Sequence, residues 1–162
     1  MSKADPIRPT DDEARALARD LLSGATFAAL GVIDPDTGAP SVSRIAMATA
    51  PDGRPLSLIS DLSAHARALK ANPSASLLVG EPADRGDPLT HPRLTLQVTA
   101  RETRHGEPGH AELSAHYLSQ RPKAKLYAGF ADFFLVTFDI EAGFLNGGFG
   151  RAFRLTAQDI LG

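Results

Sequence analysis

Three stretches of the 162-residue sequence combine residue types that can do chemistry. The first is Leu58-Ile59-Ser60-Asp61-Leu62-Ser63-Ala64-His65-Ala66-Arg67, where a strand-like run meets a helix-like one. A helix N-terminus leaves backbone N–H groups unpaired and carries partial positive charge, so it attracts phosphate. Ser63 is placed to cap that helix or to donate to a phosphate oxygen, and His65 and Arg67 can add positive charge. The competing interpretation is a plain N-cap serine with two solvated basic neighbours. The second stretch is Pro40-Ser41-Val42-Ser43-Arg44-Ile45-Ala46-Met47, where Arg44 interrupts an apolar strand and shares its face with Val42, Ala46 and Ala48. A guanidinium there needs a partner, which a phosphate, an internal carboxylate or open solvent can supply. The third is Gly147-Gly148-Phe149-Gly150-Arg151-Ala152. Its glycines allow a close backbone approach to a planar ligand or a second subunit, or simply a bend between strands. It lacks Walker-loop spacing and precedes no helix, so it is not a triphosphate loop.

Other chemistries lack their residues. The chain has no cysteine, which removes disulfides, thiolate catalysis and zinc–thiolate sites. The five histidines, His65, His91, His105, His110 and His116, form no HExxH pair, and no carboxylate cluster has metal-ligand spacing, so no metal site is expected. No G-x-S-x-G elbow is present. His91 stands at the end of a loop, just before a strand, where it reads as a surface histidine. With 17 basic and 19 acidic residues the net charge is −2, so no global field favours a nucleic-acid partner. No apolar run reaches the roughly 18–20 residues that span a bilayer, and no secretory h-region follows Met1. The expectation is a cytoplasmic protein without membrane partners.

The elements that must position these residues follow from periodicity. Residues 1–9 read as a loose arm and residues 10–162 as one domain. Thr10 and Glu13 have capping-box spacing, and Ala14, Leu17, Ala18, Leu21 and Leu22 form a helical stripe ended by Gly24. Strands are predicted over 26–33, 41–48 and 56–60, punctuated by Asp34-Pro35-Asp36-Thr37-Gly38 and Pro51-Asp52-Gly53. A helix over 63–71, a strand over 76–79, a loop over 80–92 and a strand over 94–101 come next. Pro108 suits the first turn of a helix reaching Gln120, and residues 122–127 a second helical piece. The last strands are predicted over 133–140 and 144–155, with Gly147-Gly148 as a bulge or bend. Short strands without helices among the first three favour an α+β fold built on a mainly antiparallel barrel.

Four segments occur in order: SRIAM, LISDLSAHARALKANPSASLLVG, DPLTHPRLTLQVTA and YAGFADFFLVTFDIEAGFLNGGFGRAF. Together they resemble the pyridoxamine 5'-phosphate oxidase-like FMN-binding split-barrel superfamily, within it the HugZ-type haem-utilisation branch. The resemblance runs from about residue 12 to residue 155. It implies a split β-barrel with flanking helices, a homodimer with FMN at the subunit interface, and FMN-dependent oxidoreduction of a small molecule. It places Arg44 on the flavin-binding strand, Ser60 at the strand-end polar contact and Ser63 in the phosphate motif. Ala64 and His65 stand where that motif has arginine and lysine, and Thr95 or Gln97 falls near the flavin ring. The absence of tryptophan departs from true pyridoxamine phosphate oxidases. No histidine follows His116, which departs from the HugZ-type C-terminal histidine. Haem binding or degradation, and a non-catalytic ligand-binding dimer, are the alternatives.

Overall fold

The computed structural model describes residues 5–148 and 150–162. In chain order the elements are β1 (Ile7–Arg8), α1 (Asp12–Ser23), β2 (Phe27–Ile33), β3 (Pro40–Ala46), β4 (Ala48–Thr49), β5 (Pro55–Ser60), α2 (Ala64–Ala71), β6 (Ser74–Val79), β7 (Arg93–Thr103), α3 (His110–Gln120), β8 (Phe133–Asn146), β9 (Ala152–Leu155) and α4 (Ala157–Leu161). Short 3₁₀ turns occupy Pro88–Thr90 and Pro122–Leu126.

The strands form one sheet in the order β1-β9-β8-β7-β6-β2-β3, antiparallel throughout except for β1 against β9. β8 makes the split. Its first residues, Phe133 to Thr137, pair with β5, and its last, Gly143 to Asn146, pair with β9, while β7 runs along its other edge. A bulge at Gln97/Val98 sets Glu141 outside the β7–β8 register. β8 also explains why its sequence is nearly continuously apolar. Phe134, Val136 and Phe138 enter a large core cluster with Leu30, Leu77 and Leu96. Leu135 enters a smaller one with Leu56, Leu58 and Tyr117, so both faces of the strand are buried.

The fold is the expected mainly antiparallel α+β split barrel, with four local corrections. The cap of α1 is Asp11, whose Oδ1 accepts from Ala14 N at 2.8 Å. The Thr10 hydroxyl instead donates to the Arg154 carbonyl at 2.7 Å, a partner far along the chain that capping-box spacing does not reveal. α3 starts at His110, not Pro108, because Gly109 takes a φ of +84° that a continuing helix excludes. The last two strands divide after Asn146 and not after Ile140, since the bulge lets β8 continue through Gly143. The break is the 147–151 turn, closed by Gly147 N to Arg151 O at 2.7 Å; Phe149 lies outside the described residues. Finally, α4 follows β9 behind a capping box of Thr156 and Asp159. Of the N-terminal arm, Ile7 and Arg8 lie alongside Ala152 and Phe153.

Candidate functional site

Register arranges the site. One row of paired residues crosses the sheet as Arg44–Ala29–Leu78–Thr95–Phe144–Arg154. Directly paired residues project from one face, and alternation adds Phe27, Gly31, Val42, Arg93 and Gln97 to it. The neighbouring row, Ser43–Leu30–Leu77–Leu96–Gly143–Leu155, faces the core. Arg44 therefore stands on the outward face, with its guanidinium carbon 5.1 Å from the centre of the Phe27 ring. It lines a cleft of about 630 Å³ with Phe27, Leu78, Leu89, His91 and Arg93. Phe27, Leu78 and Leu89 are 36%, 43% and 69% exposed, a concentration of large apolar side chains that marks a binding surface. The cleft's other wall is the segment between β6 and β7, where Arg93 Nη1 donates to Leu89 O at 3.0 Å.

The strand-to-helix turn holds the other sequence-selected residues. Ser63 Oγ accepts from Ala66 N at 3.3 Å as the N-cap of α2 and donates to Ser60 O at 2.6 Å. Ser60 Oγ donates to Asp132 Oδ2 at 2.6 Å and accepts from Leu62 N at 3.1 Å. Asp61 is clamped by Arg104 at 2.7 and 2.8 Å and by Lys70. The Arg104 guanidinium, with Lys70 assisting, holds the Asp61 carboxyl well below the usual carboxylate range. Both hydroxyls thus donate to partners, Ser63 within the turn and Ser60 to Asp132 far along the chain, and ion pairs brace the turn. Arg67 meets Asp36 through two bonds of 2.7 and 2.8 Å. His65 Nδ1 lies 3.1 Å from Ser43 Oγ, on the side of β3 opposite Arg44. Burial pushes the His65 imidazole below its ordinary value of 6.5.

That displacement sets a pH slope. Below pH 6.5 the unfolded chain takes up the His65 proton more readily than the folded one, so stability falls as pH drops, until the lowered folded value is passed. His65→Gln should flatten this part of a urea-midpoint profile; an unchanged slope would assign the effect elsewhere.

Of the six sequence-selected residues, Arg44, Thr95 and Gln97 share the outward face, and Ser60, Ser63 and His65 gather at the turn. Gln97 lies in a second outward groove of about 560 Å³ with Val42 and Ser76. Sequence reasoning missed Phe27, Leu78 and Arg93. A period-two count back from Thr95 reaches Arg93 and was the available signal; Phe27 and Leu78 are visible only once register pairs their strands. Among the described residues no three metal-ligating side chains come together, and no helix is long and apolar enough to cross a membrane.

This antiparallel barrel split at one strand has the pyridoxamine 5'-phosphate oxidase-like split-barrel fold. A solved structure from Clostridium acetobutylicum, a general stress protein 26 relative of the pyridoxine phosphate oxidase family, matches the fold at a TM-score of 0.70. It is 13% identical and covers 93% of this chain and 99% of its own. The family model for the CREG β-barrel matches residues 9–160, and the chain belongs to that family. The non-canonical heme oxygenase HOZ of Arabidopsis thaliana chloroplasts is 32% identical over 133 residues, which are 81% of this chain and 38% of that protein. A heme-binding protein from Mycobacterium smegmatis is 27% identical at a TM-score of 0.80, covering 94% of this chain and 60% of its own. The chain thus spans well under half of the plant relative and three fifths of the mycobacterial one.

Proposed function

We propose that this chain binds haem on the outward face of its sheet. The observation that carries the proposal is the apolar cleft lined by Phe27, Leu78 and Leu89 together with Arg44 and Arg93. Haem is a flat apolar ring with two carboxylates at one edge, and two arginines beside apolar walls match that chemistry. The volume lies within the roughly 300–1,000 Å³ of small-molecule and cofactor sites. The relatives whose names record haem chemistry support the same choice. When bound, haem would supply redox chemistry; Arg44 and Arg93 would orient its carboxylates, and Phe27 and Leu78 would exclude water from its face.

FMN is the second candidate, as cofactor of an oxidoreductase of this fold class. It is favoured by Arg44 and Thr95 standing in one row on the outward face. Against it, the Ser60 hydroxyl already donates to Asp132 and the Ser63 hydroxyl to Ser60 O, and the partial burial of His65 disfavours positive charge there.

Titrating the purified protein with haemin and, separately, with FMN decides between them by absorbance. Saturable haemin binding that weakens about tenfold to a hundredfold in Arg44→Ala and in Arg93→Ala is expected, since a charge-assisted bond contributes roughly 1.5–3 kcal/mol. Saturable FMN binding with no haemin binding would reverse the assignment. We also propose that two copies pair through the outward face, where Val42 is 72% and Ile33 38% exposed. Light scattering at micromolar concentration should give twice the chain mass; one chain mass would exclude the pairing.

A further inference from the structure

We propose that His91 is a positioning residue for the cleft: its neutral imidazole holds the segment between Gly80 and Pro92 closed as the cleft wall, and protonation releases it. The consequence for ligand capture rests on the haem assignment above; the latch itself does not.

Between β6 and β7 the chain has no strand pairing, only the Pro88–Thr90 turn. Its two ends are pinched together, since a Cβ on Gly80 would fall 2.6 Å from Pro92 O. Within the loop so formed, one side chain ties the separated points. His91 Nε2 lies 2.6 Å from Arg85 O, and Ala83 N donates to His91 Nδ1 at 3.2 Å. A carbonyl only accepts, so Nε2 carries the hydrogen and Nδ1 presents its lone pair. The two bonds together require one tautomer of the neutral ring. Adding a proton to Nδ1 sets N–H against N–H at Ala83 and removes one of the two ties. Glu81, Pro82, Pro88, Leu89 and His91 itself line the cleft from this segment, so a released segment is a lost wall.

The charged groups that share this region are Glu81, Asp84, Arg85 and Asp87 of the segment itself and, across the cleft, Asp20 of α1, Arg44 of β3 and Arg93 of β7. Histidine side chains change charge between about pH 5 and 8, where such a latch can act.

Amide hydrogen exchange of residues 81–90, corrected for intrinsic rates and referenced to β7, tests the latch without any ligand. In the wild-type chain, protection at Ala83 and its neighbours should fall about tenfold from about pH 8 to about pH 5.5, the loss of one hydrogen bond. His91→Phe, which keeps a ring without its nitrogens, should show the low value at both pH values. Wild-type protection that ignores pH, or His91→Phe protection equal to wild type at the higher pH, overturns the proposal. Haemin dissociation measured on the same proteins separates the two claims. If haemin binds but neither pH nor His91→Phe alters protection, the latch fails and the haem site stands. If protection responds as stated and haemin does not bind, the latch stands and the cleft holds something else.

Discussion

Arg121→Ala should lower the stability of this protein by about 3–5 kcal/mol. Its guanidinium donates to three carbonyls: Met47 O at 2.8 Å, Gln120 O at 2.6 Å and Ala25 O at 3.0 Å. These belong to the chain entering β2, the junction of β3 with β4, and the end of α3, so one side chain ties the helix to two places on the sheet. Removing it strands partly buried carbonyls, each facing the loss of a charged hydrogen bond of roughly 1.5–3 kcal/mol. Arg121→Lys keeps a charge but not the fork and should recover only part of the loss. A urea midpoint within experimental error of wild type for Arg121→Ala would show that water replaces the guanidinium without penalty.

Gly80→Ala should rank next, at roughly 3–5 kcal/mol, from positive-φ strain added to overlap. Gly80 has a φ of +107°, and its added Cβ would meet Pro92 O at 2.6 Å and Arg93 Cα at 2.8 Å. Both obstacles are backbone and cannot swing aside. Gly38 is the internal control. Its φ is +74°, yet nothing lies within 4 Å of its added Cβ, so Gly38→Ala should cost only about 1 kcal/mol. Thermal melts of the two variants side by side test this, and equal losses would reject the overlap at Gly80. Because Arg93 follows Pro92 directly, Gly80→Ala should also weaken haemin binding.

The strands were legible wherever one face is buried, because alternation such as Leu94, Leu96 and Val98 announces it. β8 was harder. Both its faces are buried, so the apolar run carried no period, and the bulge that lets it run on to Asn146 has no sequence mark. Caps failed where a distant partner intervened, as when Arg154 O claimed the Thr10 hydroxyl. The same limit applied to the site. Arg44 was visible as a charge in an apolar strand, but its neighbours in the cleft come from β2, β6, β7 and the segment after β6, and only strand register brings them together. Sequence order groups Ser60, Ser63 and His65, and in space they remain a local turn whose hydroxyls are already hydrogen-bonded.

The placement of β8 between two hydrophobic clusters has a thermodynamic consequence. Two cores in one chain could melt as separate units, giving two heat-absorption peaks or one broadened peak. Here Leu135 packs in one cluster while its neighbours Phe134 and Val136 pack in the other, so neither can lose its wall without dismantling its counterpart. The melting of one is the melting of both, and the van't Hoff enthalpy of the chain should equal its calorimetric enthalpy.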